Sequence, residues 1–517
     1  MTDLERRLTD EVARLHEENR LLRQKLDLVI RQLFSRKSEK LDPNQLELLF
    51  GGLEEQEEGQ APGKGEASAA HEELVEAETK NSRRKSTEGK RRPRIPDHLP
   101  VVEEIIDPEP VKGCPEAWRQ IGEEVSEQLD YEPGRFLKRR TVRRKYVKRS
   151  DREAPPIVAP LPPRLIEGGI ATPGLVAQIA IQKYVDHLPL YRQERIFEER
   201  HDVLIPRQRM VSWMEVAADW LRPIYEKMRE EMFAGDYVEV DETPVKYLAP
   251  GTGKAQQGYL WAYRVPGGDT LFDWQAGRGH ECLKAFVPES FVGVMQCDGY
   301  RAYRTFARQR EGITLAGCWA HTRRKFYDAF QIGEAKGQSG WILRQIQHLY
   351  RIEERLRESR AGPALRQAVR HNESRPIAGR IHRALFRLKV SKRILPKSLL
   401  GKALHYTLEQ WTELVVYLDH GRVEIDNNLV ENAIRPTAIG KKNWLFIGAE
   451  GAGWRSAVIY SIVESCRNRG IEPFEYLRDV LTRLPSMTNW QIAEVTPNAW
   501  AQAKAASEEL AAVSKVS

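Results

Sequence analysis

The chain has 517 residues, of which 41% are hydrophobic and 30% are charged, and its formal net charge is +7. This length predicts about three to four domains, and the positive charge weakly favours an anionic partner. No run of about 18 apolar residues occurs, and residues 1–30 are charged throughout, so we expect neither a membrane span nor a secretory signal. The five scattered cysteines form no CxxC pair, which favours a reducing cytoplasm.

Residues 1–50 predict a coiled-coil helix. Apolar residues fill a heptad seam with a positions at Val12, Asn19, Leu26 and Leu33 and d positions at Leu8, Leu15, Leu22 and Val29. A single polar a residue, here Asn19, is typical of a two-stranded coil, so we expect a homodimer through residues 4–33. The alternative is one amphipathic helix that packs on the protein's own core.

Residues 51–97 predict a disordered charged linker. An acidic, Gly/Ala-rich stretch is followed by the basic stretch RRKSTEGKRRPR at 83–94. Neither half has enough large apolar residues to build a core. The basic half either touches the DNA backbone or is a solvated tail.

Residues 98–165 predict a small, basic, β-rich unit. The stretch GRFLKRRTVRRKYVKRSDR at 134–152 contains ten Lys or Arg and one Asp, with apolar residues between them. Basic side chains on a β-ribbon suit phosphate contacts, and a solvated charged face is the alternative. The candidate DNA-binding residues are Arg139, Arg140, Arg143 and Arg144.

Residues 166–233 predict helices. One helix that ends near Arg200 and a second that opens at Pro206 would resemble a helix-turn-helix. Arg207 and Arg209 would then lie near the start of the recognition helix and are candidate DNA contacts. Two helices and a turn are a common arrangement, so this motif has low specificity.

Residues 234–475 change to a pattern of mixed strands and helices. Three strand-like runs, DYVEVDETPVKYL, QGYLWAYRV and DTLFDWQA, predict an antiparallel meander. Helical and strand-like runs then alternate through GHECLKAFV, FVGVMQCDG, YRAYRTFARQ, GITLAGCW and AHTRRKFYDAF. The order β-β-β-α-β-α-β-α is that of the ribonuclease H-like fold. We expect an α-helical insertion at about 331–420 and a C-terminal helical tail at 476–517.

Two acids fall at neighbouring strands of that predicted sheet. Asp241 is central on the first strand, and Asp298 lies just past the end of the fourth. Two converging carboxylates without a nearby basic motif are better explained by a hard divalent cation than by ion pairing. In the alternatives, Glu242 is the ligand instead of Asp241, and Asp298 caps the helix that starts at Tyr300.

A third acid is expected on a later helix, within GRVEIDNNLVENAIRP. A helix is predicted to begin near Asp426, and Glu431 follows about one turn later. Asp426 and Glu424 compete with Glu431 for this role, although helix capping explains Asp426 well.

Several motifs together resemble the transposases of the IS66 family, which have DDE chemistry. They are FSRKSEKL, GEEVSEQLDYEPGRF, HLPLYRQERIF, VDETPVK, CDGYRAY, CWAHTRRKFYDA and DNNLVENAIRP followed by GKKNWLF, and they run along nearly the whole chain. The resemblance implies that Asp241, Asp298 and Glu431 are the catalytic acids and hold two Mg²⁺ (or Mn²⁺) ions. It also implies metal-dependent cleavage and strand transfer of insertion-sequence ends.

The resemblance further implies the partners and the location. The DNA partners would be the terminal repeats of the element and the target DNA, with element-encoded accessory proteins. The protein would be cytoplasmic in a bacterium and associated with the nucleoid when bound to DNA. Similar proteins usually carry a cysteine-paired zinc unit at the position of residues 98–150, but here only Cys114 remains, so we expect this unit to fold without zinc.

Basic residues near the acids are candidate DNA contacts. They are His321, Arg323 and Arg324 in CWAHTRRKF, and Arg435, Lys441 and Lys442 after Glu431. An exposed helix face is the alternative for the first group. Trp319 and Trp444 are expected in the core. Two rival functions stay open: a non-catalytic DNA-binding regulator derived from a transposase, and a ribonuclease H-like nuclease without strand transfer.

Overall fold

The computed structural model describes residues 95, 97, 99–132, 134–149, 154–249, 254–332, 336–391 and 393–516, with the backbone alone at 132, 336 and 508–516. The predicted coiled coil at 1–50 and nearly all of the predicted linker at 51–97 lie outside the described residues, so both stay predictions. None of the described helices is long and apolar enough to cross a membrane.

A four-stranded sheet comes first. Its strands are β1 (Val101–Ile106), β2 (Trp118–Glu132), β3 (Arg135–Lys148) and β4 (Ile157–Val158). β2 and β3 form a long antiparallel hairpin, and β1 pairs with β3 in parallel. Helix α1 (Glu109–Gly113) and a 3₁₀ turn at Pro115–Ala117 connect β1 to β2. The basic ribbon predicted from the sequence is β3, which lies between β1 and β2.

Three helices follow: α2 (Pro173–Tyr184), α3 (Leu190–His201) and α4 (Arg207–Phe233). Thr172 caps α2, because its side chain accepts a hydrogen bond from the amide of Leu175 at 3.3 Å. α3 ends at Asp202, which adopts the left-handed conformation. The end near Arg200 and the start at Pro206 that the sequence predicted are within a residue of the observed ones. α4 continues for 27 residues and buries one apolar face, so most of it is a core helix.

The second sheet has the strand order β7-β6-β5-β8-β9, and β10 also pairs with β5. The strands are β5 (Tyr237–Leu248), β6 (Ala255–Arg264), β7 (Thr270–Gln275), β8 (Gly293–Gln296), β9 (Ile313–Ala316) and β10 (Phe446–Ile447). β5, β6 and β7 are antiparallel, whereas β8 and β9 run parallel to β5. The intervening helices are α5 (His280–Phe286), α6 (Arg301–Arg308) and α7 (Trp319–Gln331). The order of elements along the chain is the one that the sequence predicted.

A helical insertion follows α7. It contains α8 (Lys336–Glu358), α9 (Pro363–Val369), a π-helical turn at Arg370–Ser374, α10 (Arg375–Val390), α11 (Leu399–Glu409), α12 (Trp411–Leu414) and a 3₁₀ turn at Val416–Leu418. With α7 it builds a second hydrophobic core. Arg370 is fully buried there and donates to Glu353 and to three backbone carbonyls.

The chain then returns to the main core. The remaining elements are α13 (Asn428–Trp444), α14 (Gly453–Asn468), α15 (Pro473–Arg483), α16 (Pro497–Val516) and 3₁₀ turns at Glu450–Ala452, Leu484–Ser486 and Asn489–Val495. α14 is tied to β7, because the Ser461 hydroxyl accepts from the amide of Phe272 at 2.8 Å. The predicted tail boundary at 476 falls inside α15, and Tyr476 and Leu477 belong to the same buried core as α2 and α4.

Candidate functional site

The pairing of β5 with β8 brings Asp241 and Asp298 side by side. Glu239 pairs in parallel with Gln296 at the end of β8, so two further residues along each strand lead to Asp241 and Asp298. Neighbouring strands are about 4.8 Å apart, so the two carboxylates meet at this end of the sheet. The juxtaposition that the sequence predicted is therefore present.

Asp298 is held at the turn between β8 and α6. One of its carboxylate oxygens accepts from the amide of Tyr300 at 2.8 Å, and its carbonyl accepts from the Tyr406 hydroxyl at 2.7 Å. Gly299 follows with φ of 86°, and an added Cβ there would lie 2.6 Å from the Gln410 side chain. The bond from the Tyr300 amide closes a turn onto Tyr300, which is itself the N-cap residue of α6, so Asp298 does not cap the helix in the way weighed as the alternative. The other carboxylate oxygen of Asp298 has no hydrogen bond among the described residues.

The two neighbouring acids on β5 differ in what they contact. Glu242 accepts hydrogen bonds from Arg278 at 2.6 Å and from the Tyr303 hydroxyl. Asp241 has no ion pair among the described residues. Burial, and with it the charges of Glu242, Asp298 and Glu431, raises the pKa of Asp241 to about 8. Glu242 therefore has a cationic partner in the protein, whereas the buried Asp241 has none among the described residues.

Glu431 is the third acid that faces this place, from the first turn of α13. Its two competitors are occupied. Asp426 accepts from the amide of Asn428 at 3.1 Å and from the Tyr350 hydroxyl at 2.7 Å. Glu424 pairs with Arg366 at 2.8 Å. The charge of Glu431 is among the causes that raise the pKa of Asp241.

Glu431 also lies in a group that the sequence reasoning did not assemble. Donor atoms of Cys318, His321 and Glu431 all lie within 4.8 Å of one another, a spacing that suits a metal ion. Nδ1 of His321 is 3.6 Å from Oε1 of Glu431, and both atoms are buried without a hydrogen-bond partner. Burial raises the pKa of the Cys318 thiol. The Cys-x-x-His spacing in CWAH was the available signal; the sequence analysis considered only its histidine, as a DNA contact.

A buried polar network behind the acids was also missed. Glu239 is fully buried, and burial raises its pKa to about 8. It accepts from the Tyr237 hydroxyl at 3.2 Å and from the amide of Val430 at 3.1 Å. The second bond joins β5 to the residue next to Glu431, so it fixes the start of α13 relative to the sheet. A lone Glu inside a strand pattern gives no sequence signal for such a role.

The basic candidates near the acids do not all have the same environment. Arg323, Arg324, Arg435 and Lys442 are exposed. Lys441 lies on α13 and is half-buried against β5. Its ammonium group donates to the Thr243 hydroxyl and to the Pro244 carbonyl, each at 2.9 Å. Burial and the nearby Lys442 lower the pKa of Lys441. Lys441 therefore holds α13 against β5. Trp319 is fully buried, as expected, and Trp444 packs half-buried against the core.

The four candidate arginines of β3 pair with acids on β2 or lie opposite them. Arg139 pairs with Asp130 at 2.6 Å, and Arg140 pairs with Glu127 at 3.3 Å. Arg143 pairs with Glu124, and Arg144 lies opposite Glu123 in the strand register. The positive charge that the sequence shows on β3 is thus largely balanced across the hairpin, which weakens the basis for a phosphate-binding ribbon.

Arg207 and Arg209 lie in the first turn of α4, which is the position predicted from the sequence. Both are exposed, and the backbone amide of Arg207 donates to Glu194 at 2.9 Å. This bond joins the start of α4 to α3. DNA contact by the two arginines stays a prediction.

Acids on two neighbouring strands with a third on an adjoining helix are typical of proteins that bind divalent metal ions for phosphoryl transfer. Comparison with known proteins identifies the class. Residues 168–455 match the family described as "Transposase IS66 family", residues 21–103 match "Transposase C of IS166 homeodomain", and residues 461–497 match "IS66 C-terminal element". The chain belongs to the IS66 family of transposases. Membership implies a protein that acts on DNA and depends on a divalent metal.

Relatives of similar length occur in Sinorhizobium fredii (strain NBRC 101917 / NGR234). The uncharacterized protein y4qI is 36% identical over 443 residues, which cover 82% of this chain and 80% of the relative. The uncharacterized protein y4jD is 34% identical over 409 residues, 76% of this chain and 78% of the relative. The uncharacterized protein y4hP is 28% identical over 475 residues, 86% of this chain and 84% of the relative.

Proposed function

We propose that this chain is a DDE transposase that cleaves insertion-sequence ends and transfers them to target DNA. Its catalytic core would be ribonuclease H-like, as the strand order β7-β6-β5-β8-β9 supports. Asp241, Asp298 and Glu431 would hold two Mg²⁺ (or Mn²⁺) ions. The observation that carries this proposal is the placement of three acids: Asp241 lies on β5, Asp298 follows the paired strand β8, and Glu431 lies in the first turn of α13, with the charges of Asp298 and Glu431 among the causes that raise the pKa of Asp241.

The donor set fits such ions. Carboxylate oxygens are the ligands that Mg²⁺ and Mn²⁺ prefer, and the repulsion among these acids is relieved by a divalent cation. When bound, the ions supply activation of the attacking hydroxyl and charge stabilisation at the leaving oxygen. No nucleophilic Ser or Cys is required, because the protein's task is placement.

The protein's own residues would orient the acids and the DNA. The amide of Tyr300 fixes one oxygen of Asp298, and Glu239 fixes the helix start that carries Glu431. Arg435 lies one turn beyond Glu431 on α13 and is exposed, so its guanidinium would bind a phosphate of the strand at the acids. Dimerisation through residues 4–33 and element-encoded accessory proteins complete the proposal.

The first experiment measures Mg²⁺ and Mn²⁺ binding to the full chain by calorimetry. Asp298→Asn is nearly isosteric and keeps an oxygen for the amide of Tyr300, so a loss of binding reports the carboxylate charge. Asp328→Asn is the matched control, because Asp328 is exposed on α7. We expect binding in the parent and the control and its loss in Asp298→Asn. Equal binding in all three proteins contradicts the metal assignment and favours a DNA-binding regulator.

A second experiment separates the transposase from a nuclease. Incubation with cognate ends, a target plasmid and Mg²⁺ is expected to yield joined products that contain both DNAs. Cleavage without any joined product would support a nuclease of the same fold.

A further inference from the structure

The helical insertion carries a run of positive charge that the sequence analysis left unassigned. Residues 375–402 contain nine Lys or Arg and no Asp or Glu. On β3 the basic residues lie beside acids of the neighbouring strand β2, whereas α10 has no neighbouring strand among the described residues that supplies acids. The run begins with α10 and continues into the loop before α11.

The helical geometry separates the apolar and basic residues of α10. Ile377, Ile381 and Leu385 are buried and follow one another at intervals of four residues. Arg380, Arg383 and Arg387 are exposed and lie on the opposite side, since they follow at intervals of three and four residues. We call these three arginines the insertion cationic face. α10 has 16 residues and is therefore about 24 Å long, enough to follow about seven base pairs of duplex.

The arginines of this face have no protein partner. None of the three makes an ion pair or a side-chain hydrogen bond within the part of the chain that the structure describes. By contrast, Arg139 and Arg140 on β3 are paired with acids. Unpaired guanidinium groups are the groups that can release counterions from DNA.

Apolar residues among the cations distinguish this face from a merely solvated one. Phe386 is 57% exposed and Val390 is 61% exposed, and both lie on the same side of α10 as the arginines. Exposed large apolar side chains among cations are typical of an interaction surface, since water alone would favour polar residues there. They would lie against the sugar groups between the phosphates that the arginines bind.

We propose that the insertion cationic face binds the phosphate backbone of duplex DNA, in a sequence-independent manner. The proposal rests on the proposed function, which makes DNA the partner. The positive charge of the insertion cationic face favours DNA as its partner, because the duplex carries about one negative charge per 1.7 Å of axis. The face gives this protein a DNA contact on the insertion, separate from the small basic unit.

The test uses the full chain and a fluorescent duplex of about 30 base pairs with arbitrary sequence. Affinity is measured by anisotropy over a series of salt concentrations. In the triple variant Arg380→Gln, Arg383→Gln, Arg387→Gln, the plot of log affinity against log salt is expected to become less steep by up to about 2.7, since each phosphate contact contributes about 0.9.

A control triple variant removes the same charge from exposed cations that already have acidic partners. It carries Lys112→Gln, Arg222→Gln and Lys227→Gln, whose partners are Glu109, Glu226 and Glu230. We expect its slope to equal that of the parent. Thermal unfolding of both variants verifies that each is folded.

The outcomes separate this proposal from the proposed function. An unchanged slope in the arginine variant, with metal binding still lost in Asp298→Asn, overturns the DNA face and leaves the metal site intact. A changed slope without any metal binding supports the face and removes the proposed chemistry. If the arginine variant changes the oligomeric state but keeps the slope, the face binds protein and the proposal is wrong.

Discussion

Asp241 and Glu242 are consecutive in the chain, yet they point to opposite faces of β5 and have opposite environments. Burial raises the pKa of both acids, but the Tyr303 hydroxyl and Arg278 lower the pKa of Glu242, whereas the charges of Glu242, Asp298 and Glu431 add to the raised pKa of Asp241. Strand alternation alone produces this difference. At the scale of the residue, the two acids therefore differ in their partners: Glu242 is paired with Arg278, and Asp241, the proposed metal ligand, has no ion pair among the described residues.

The pair gives a direct prediction. Asp241→Asn is expected to abolish Mg²⁺ binding in calorimetry, because the carboxylate charge is lost. Glu242→Gln is expected to retain Mg²⁺ binding but to lower stability by about 1–3 kcal/mol, since Arg278 loses its charged partner. Thermal unfolding measures the second effect. The reverse pattern would identify Glu242 as the ligand and contradict the assignment of Asp241.

At the scale of the element, the insertion depends on one buried ion pair. Arg370 and Glu353 are both fully buried, and Arg370 also donates to the carbonyls of Tyr417, His420 and Val423. These bonds join the π-helical turn to the segment that leads back to the acids. The Arg370 guanidinium is therefore one of the contacts through which the insertion bears on the position of α13, beside the bonds of Tyr350 to Asp426 and of Arg366 to Glu424.

Removal of the Arg370 guanidinium group should lower the free energy of unfolding. We expect Arg370→Met to destabilise the protein by about 3–5 kcal/mol, because the buried Glu353 would keep only Arg366, at 3.3 Å, and three backbone carbonyls would lose their donor. Arg355→Met is the matched control. Its pair with Glu373 is exposed, so its loss should cost about 1 kcal/mol or less. Denaturant unfolding of both variants measures the difference, and equal effects would show that the buried pair has no special role.

At the scale of the whole molecule, buried acids away from the site also influence stability. Burial raises the pKa of Asp273, on β7, to about 7. The folded protein therefore keeps a proton on Asp273 that the unfolded chain releases above about pH 4. From this group alone, the free energy of unfolding falls as the pH rises from about 4 to about 7.

Asp273→Asn should remove this dependence. The variant is expected to be more stable than the parent at pH 8 and nearly equal to it at pH 4, with about 1.4 kcal/mol for each unit of the pKa shift. Asn keeps an acceptor for the Gln275 side chain, which donates to Asp273 at 2.8 Å. Melting temperatures of both proteins between pH 4 and pH 8 measure the effect. A difference that does not grow with pH would contradict it.

The local patterns of the sequence were sufficient for much of the fold. Alternation in DYVEVDETPVKYL predicted β5, and the turn signals predicted the meander with β6 and β7. The same alternation separated Asp241 from Glu242. These inferences succeed because strand period and turn chemistry are local properties of neighbouring residues. The roles of Asp241, Asp298 and Glu431 as metal ligands stay proposals.

Only the tertiary structure decided which charges have partners. The sequence makes β3 the obvious cationic element, but its arginines meet the acids of β2, whereas Arg383 and Arg387 on α10 meet none among the described residues. The same holds for Cys318 and Glu431, which are far apart in the chain and adjacent in space. The physical reason is that an ion pair or a ligand set depends on distances between distant segments, and residue composition does not contain those distances.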